Sequence, residues 1–292
     1  MSFSPSGTAE TRELLEKYGF YTKKGLGQNF LTDPAVLSGI AEAAELSEND
    51  TVLEIGPGAG SLTRVLAERA GRVLAIELDE RLKPLLGEAL SDFDNISIHW
   101  GDVLKTDIAE LLEREGIVPP VKVVANLPYY ITTPVLLALL ARKELFSSLT
   151  LMVQEEVGER MAAQPGGKDY GFLSVSVQYY AMPEIALKVP PHAFLPQPKV
   201  SSVVVLLKPL EKPPVALRGG EDYFFSVVKA AFLQRRKTLA NALSAYPPVK
   251  TGRESVYRAL DEMHLDRQIR GEKLSLTQFA QLAERLRDIN KV

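Results

Sequence analysis

Residues 52 to 70 read VLEIGPGAG and then SLTRVLAERA: an apolar strand, a turn carrying Gly56, Gly58 and Gly60, and an amphipathic helical pattern. No other stretch restricts the fold as much, because a strand that passes through a glycine turn into a helix packs as one unit of a parallel sheet with helices on its faces. The unit recurs. TVLEI, RVLAI, NISIHW, VKVVA and SLTLMV follow one another between residues 51 and 153, separated by helical patterns, and PEIALKVP and SSVVVLL add two strands before residue 208. The expected fold is α/β, a doubly wound sheet within residues 1–210, of which 1–22 form an N-terminal extension. LSVSVQYYA at 173–181 alternates like a strand but is expected as a helix, since the sheet is already supplied. KPLEKPPVALRGG at 208–220, with three Pro and two Gly, reads as a linker, and only helical patterns follow it. Residues 211–292 should therefore form a small all-helical domain.

The candidate site lies where these strands end. Gly56, Gly58 and Gly60 let the backbone approach a ligand and aim the first N–H groups of a helix at a negative group. The spacing is G-x-G-x-G, without the third glycine one residue later that pyrophosphate binding favours, so a carboxylate such as that of methionine suits the turn better. RVLAIEL at 72–78 places Glu77 where an acid accepts hydrogen bonds from both hydroxyls of a ribose. Asp102, just past NISIHW, is placed to accept from an adenine amine, or to cap the helix suggested by VLKTDIAELLE. Asn126-Leu127-Pro128-Tyr129 follows the next strand. An Asn oxygen and the carbonyl before a Pro can each accept one N–H of an exocyclic amine, pulling its nitrogen toward tetrahedral geometry and freeing the lone pair. Proline removes a donor where acceptors are wanted, and Tyr129 offers a face for an extruded base. The tetrapeptide also reads as a strand end running into a turn.

With these residues in view, the chain resembles the small-subunit (16S) ribosomal RNA adenine dimethyltransferases. The resemblance runs from about residue 23 to the C-terminus through KKGLGQNFL (23–31), VLEIGPGAGSLT (52–63), NLPYYITTP (126–134), FLPQPKVSSVVV (194–205) and AFLQRRKTLANAL (231–243). Macrolide-resistance methyltransferases of 23S RNA share the earlier segments, and AFLQRRKTLANAL tips the choice. The resemblance implies a Rossmann-like, S-adenosylmethionine-dependent methyltransferase domain with a mostly parallel seven-stranded sheet. It implies dimethylation of two adjacent adenosines in the 3′-terminal hairpin of 16S RNA, within an immature 30S subunit. Gln28, Asn29 and Leu31 would line the cofactor pocket, Gly56 would contact the methionine end, Glu77 the ribose and Asp102 the adenine, with Gly58, Leu78 and Val103 also binding the cofactor. Asn126 would serve cofactor and target amine alike.

Composition agrees. The chain has 292 residues, 46% hydrophobic and 24% charged, enough for one large and one small domain. The longest apolar run, VLLALLA at 135–141, stops at Arg142, well short of the roughly 18 residues of a membrane span. Glu10, Arg12, Glu13 and Glu16 argue against a signal peptide. Without cysteine there is no thiolate chemistry, and His99, His192 and His264 stand too far apart for a metal site, so no metal is expected. A cytoplasmic monomer is the expectation. Net charge is −3, but residues 211–292 hold 15 Lys and Arg against 10 Asp and Glu, and the rest 19 against 27. The C-terminal part is therefore the expected phosphate-facing half, with Arg235, Arg236 and Lys237 on a helix as candidate RNA contacts, joined by Lys23, Lys24 and Lys199. Two other classes stay open: a nicotinamide-dependent oxidoreductase, and an assembly factor that senses immature RNA.

Overall fold

The structure, a computed structural model, describes residues 7–20 and 28–290. It divides into two compact units: Met1–Gly158 with Met182–Pro209, and Glu159–Ala181 with Leu210–Val292.

The first unit is built on seven strands: β1 (Thr51–Ile55), β2 (Arg72–Glu77), β3 (Ile96–Trp100), β4 (Val121–Asn126), β5 (Phe146–Gln154), β6 (Ala181–Val189) and β7 (Ser202–Pro209). Their spatial order is β3-β2-β1-β4-β5-β7-β6. The pairs β1/β2, β1/β4, β2/β3 and β4/β5 are parallel, while β7 runs antiparallel to β5. Central strands of such a sheet are covered on both faces and read as unbroken apolar runs. Val52, Leu53, Val73, Leu74, Val123, Val124, Leu149 and Leu151 are accordingly all fully buried. The edge strands differ: β3 is half-buried throughout, and on β6 Met182 and Ile185 are exposed.

Helices α1 (Thr8–Lys17), α2 (Pro34–Ala43), α3 (Ser61–Arg69), α4 (Lys83–Ala89), α5 (Ile108–Arg114) and α6 (Thr132–Leu140) belong to this unit. Their starts are written locally. Asp33 accepts from the N–H groups of Ala35 and Val36 with Pro34 in the first turn, and Asp107 caps α5 in the same way. α1, inside the presumed extension, buries Leu14 and Leu15 against Phe30, Leu82 and Leu85. A two-residue antiparallel bridge joins Phe30 to Leu195 and Leu31 to Phe194, tying two segments about 165 residues apart.

The second unit is helical: the end of α7 (Glu155–Ala162), then α8 (Phe172–Tyr180), α9 (Glu221–Leu233), α10 (Leu239–Ser244), α11 (Arg253–Glu262) and α12 (Leu276–Ile289). Its core contains Tyr170, Val175, Tyr179, Phe224, Leu243, Leu260, Phe279 and Leu286. The expected division at 210/211 therefore moves: residues 159–181 belong with the helical unit, because Tyr170, Val175 and Tyr179 are core residues there. α8 is a helix as expected. Its alternating sequence hides the helical period because Leu173 to Val177 are all buried, leaving no polar face. The 208–220 segment has no regular structure beyond the end of β7, yet it is anchored: Arg218 donates to Glu284 and Asp288 at 2.8 Å each. No helix among the described residues is long and apolar enough to cross a membrane.

Candidate active site

β2 and β3 lie on one side of β1, and β4 and all later strands on the other. Where strand order reverses, the loops leaving the two central strands part, and a crevice opens beyond their carboxyl ends. One cavity fills that crevice, lined by residues that follow β1, β2, β3 and β4 and by the segment 28–31.

At the end of β1, Gly56, Gly58 and Gly60 have φ of 74°, 59° and 85°, the left-handed region where side chains are strained. A Cβ on Gly58 would also come within 3.1 Å of the Phe30 ring. The Gly58 N–H donates to Oε2 of Glu77 at 3.2 Å, and the Asp79 N–H donates to Oε1 at 2.8 Å. Each oxygen of Glu77 thus holds one backbone donor and keeps further lone pairs for a ligand. Burial pushes the Glu77 carboxyl up, and these N–H groups oppose the rise. Leu78, half exposed, lines the cavity beside it.

Asp102 and Val103 line the side beyond β3. Oδ1 of Asp102 accepts the Leu104 N–H at 3.0 Å, so Asp102 organises the turn 102–106, while α5 is capped by Asp107. On the opposite side, Gln28 donates to Asp79 at 3.1 Å, and the Asn29 carbonyl accepts from Nδ2 of Asn126 at 3.3 Å. Asp79 is held below the usual carboxylate range, first by its hydrogen bonds to Arg81 and also by Gln28. The Phe30–Leu31 bridge to Phe194–Leu195 holds this segment in place, and Leu31 and Phe194 both line the cavity.

The tie to Asn29 fixes which way the Asn126 amide points and leaves Oδ1 without a partner among the described residues. The Leu127 N–H donates to Met152 at 3.2 Å, and its carbonyl accepts nothing among the described residues. The Pro128 carbonyl, by contrast, accepts from Ile131 and Thr132. Two acceptors therefore stand open on Asn126 and Leu127. The half-buried Tyr129 makes a 2.8 Å hydrogen bond through its hydroxyl to Ser202, and burial raises its pKa. Tyr130 is 54% exposed.

Glu54, which the sequence places with Glu77, Asp102 and Asn126 near the carboxyl ends of successive strands, also lines this cavity. It is buried within β1, neither carboxylate oxygen has a partner within hydrogen-bond geometry among the described residues, and burial, opposed in part by the nearby Thr63 hydroxyl, lifts its pKa to about 8. The signal was present as a lone acid inside an apolar strand, a position charge does not occupy without a reason.

The family described as ribosomal RNA adenine dimethylase matches residues 19–288. The chain belongs to the ribosomal RNA adenine dimethylase family. Among curated relatives, the "Ribosomal RNA small subunit methyltransferase A" of Alkaliphilus oremlandii is 47% identical over 281 residues, covering 96% of this chain and 97% of that one. The protein of the same name from Listeria innocua is 44% identical over 291 residues, covering 99% and 98%. Two solved structures share the fold. A dimethyladenosine transferase from Plasmodium falciparum superposes with a TM-score of 0.73 at 26% identity, over 89% of this chain and 98% of that one. The 23S rRNA methyltransferase ErmE gives 0.65 at 30%, over 89% and 100%.

For this member of the family, the thirteen residues expected at the catalytic and cofactor positions line one cavity. The basic candidates are not gathered there. Lys23 and Lys24 lie outside the described residues, and Lys199 is exposed in the sheet unit. Arg235, Arg236 and Lys237 do not sit on a helix: α9 ends at Leu233, and they form the turn after it. Arg235 is anchored, donating to the carbonyls of Lys168 and Tyr170 and pairing with Glu272 at 3.7 Å. Arg236 and Lys237 are exposed and make no ion pair or side-chain hydrogen bond among the described residues.

Proposed function

We propose that this chain uses S-adenosylmethionine to dimethylate the exocyclic amines of two adjacent adenosines in the 3′-terminal hairpin of 16S RNA, on immature 30S subunits. The activity class, ribosomal RNA adenine dimethyltransferase, follows from family membership. The small-subunit target is supported by the curated relatives at 44 to 47% identity, all named for the small subunit. A cytoplasmic monomer with no metal fits this reading.

The observation that carries the cofactor assignment is the pair Glu54 and Glu77, two desolvated acids lining one cavity, with the charge of Glu77 adding to the burial that disfavours charge on Glu54. Such a cavity is matched by a ligand that brings positive charge. S-adenosylmethionine carries an ammonium and a sulfonium, together with the ribose diol and adenine that Glu77 and Asp102 are placed to accept. A dinucleotide would bring a pyrophosphate toward two carboxyls, which disfavours the oxidoreductase alternative. When bound, the cofactor supplies an electrophilic methyl group on sulfur.

The protein's part is reception of the amine. Oδ1 of Asn126 and the Leu127 carbonyl accept its two N–H bonds, drawing the lone pair out of conjugation, and both acceptors gain as positive charge develops on nitrogen. Tyr129 holds the extruded base by its face. The chain lacks cysteine and needs no covalent intermediate, since the methylated ammonium is acidic enough to release its proton to water. After the first transfer one N–H remains, so one acceptor is left without a donor while the second methyl enters.

Incubation with labelled S-adenosylmethionine and small subunits lacking the modification tests this, with nucleosides mapped by mass spectrometry. Dimethyladenosine at two neighbouring positions is expected. Label only at other nucleosides of the small subunit, or none at all, would refute the target assignment.

A further inference from the structure

β7 is antiparallel to its neighbour β5, with Gln154 opposite Ser202. The first residue of β7 therefore lies at the same edge of the sheet where the parallel strands end. Ser202 is fully buried and opens a run of Val and Leu, all buried from Val203 to Leu207. Several buried hydroxyls of this chain, Ser148 and Thr150 on β5 among them, have no partner among the described residues, whereas that of Ser202 does. Its partner is Tyr129, at 2.8 Å. β4, from which Tyr129 departs, is two strands away, roughly 10 Å at ordinary strand spacing, and the length of a tyrosine side chain accounts for most of that gap. The ring is thus held at both ends, by its own backbone and by Ser202. Tyr130, the next residue, has no side-chain partner among the described residues and stands exposed.

We infer that Ser202 is a positioning residue for the target base, fixing the plane of the Tyr129 ring so that a stacked adenine presents its amine to Asn126 and Leu127. This rests on the proposed function, in which Tyr129 carries the base. The requirement is stricter than for a single transfer. The second methyl enters when the amine keeps one N–H, so the ring plane, rather than a full set of hydrogen bonds, must hold the nitrogen on line. A ring free to swing at its far end would still bind the base but would misalign it.

The test is a cycle of Ser202→Ala, Tyr129→Phe and the double variant, with kcat and KM measured on unmodified subunits. RNA carrying 2-aminopurine at the target position serves as an optical probe of stacking. Each single variant should lower kcat about three- to tenfold, the factor one neutral hydrogen bond supports, with KM nearly unchanged. The double variant should be no worse than either single one. Bound 2-aminopurine should be brighter in Ser202→Ala than in the unaltered protein, because a loosened stack quenches less. Additive losses, or unchanged kcat and fluorescence in Ser202→Ala, would overturn the inference. Tyr129→Ala separates the two levels. If it keeps full activity, the stacking reading fails; if it is inactive while Ser202→Ala behaves as the unaltered protein, only the role of Ser202 fails.

Discussion

The cleft at the carboxyl edge of the sheet and the basic turn of the helical unit hold their polar groups in opposite ways. In the cleft, Glu77 is gripped by two backbone N–H groups and Asn126 by the Asn29 carbonyl, so each presents fixed acceptors. In the basic turn, three consecutive cations divide: Arg235 is tied to two carbonyls and Glu272, while Arg236 and Lys237 are exposed and have no side-chain partner among the described residues. The difference matches the two kinds of recognition. Chemistry on one nitrogen requires atoms placed to within fractions of an ångström, whereas attraction to phosphates works through mobile charge in solvent.

The largest effect should come from breaking the cleft at the acceptor proposed to meet the reacting amine. Asn126→Ala should lower turnover about a hundredfold or more while RNA binding changes little, because the lost contact strengthens only as charge develops on the amine. Single-turnover rates beside filter-binding affinities would show it. A loss confined to affinity would move Asn126 out of the reaction.

The next effect sharpens the same side. Glu77→Ala removes a charge-assisted acceptor, and cofactor affinity measured by calorimetry should fall about tenfold to a hundredfold. Unchanged affinity would take Glu77 out of the site.

These two residues were legible in the sequence because backbone geometry leaves few residue types that could serve. A left-handed turn after an apolar strand calls for glycine, and a parallel sheet delivers its ligand contacts at strand ends, so the VLEIGPGAG strand, Glu77, Asp102 and Asn126 could be placed by counting. Contacts made by distant segments could not. The bridge from Phe30–Leu31 to Phe194–Leu195, the bond from Tyr129 to Ser202 and the membership of 159–181 in the helical unit all depend on residues brought together by folding. The basic run was legible as composition and misread as structure. FFSVVKAAFL continues smoothly into LQRRK, and only the packed core shows that α9 stops at Leu233.

The contrast within the basic turn gives a smaller effect. Arg236→Ala with Lys237→Ala should reduce the salt dependence of RNA binding by about two units of slope, if both meet phosphates. Arg235→Ala should leave that slope nearly unchanged and lower the thermal midpoint by about 2 to 4 °C, having removed two charge-assisted bonds to carbonyls. Equal slopes for all three single variants would erase the division between anchored and free cations.

The last effect concerns Glu54, a cleft acid that no backbone N–H grips among the described residues. Its carboxyl titrates ordinarily near 4.5 and is raised to about 8 in the folded chain. The unfolded chain releases this proton above about pH 4.5 while the folded chain keeps it, so the contribution to stability is full below 4.5 and is lost as pH rises toward 8. Glu54→Gln should remove that slope. A glutamine amide would lack partners there at either pH, so the change in thermal midpoint should be more favourable at pH 8 than at pH 4 by about 10 °C. A change of equal size at both pH values would show that Glu54 is not the titrating group.

The most direct test of the cleft is a structure of the chain bound to S-adenosylhomocysteine. Both ribose hydroxyls should lie within about 3 Å of the Glu77 carboxylate, with the adenine beside Asp102 and the sulfur facing Asn126. A ribose seated elsewhere, with Glu77 still occupied only by the Gly58 and Asp79 amides, would contradict the assignment of the cavity.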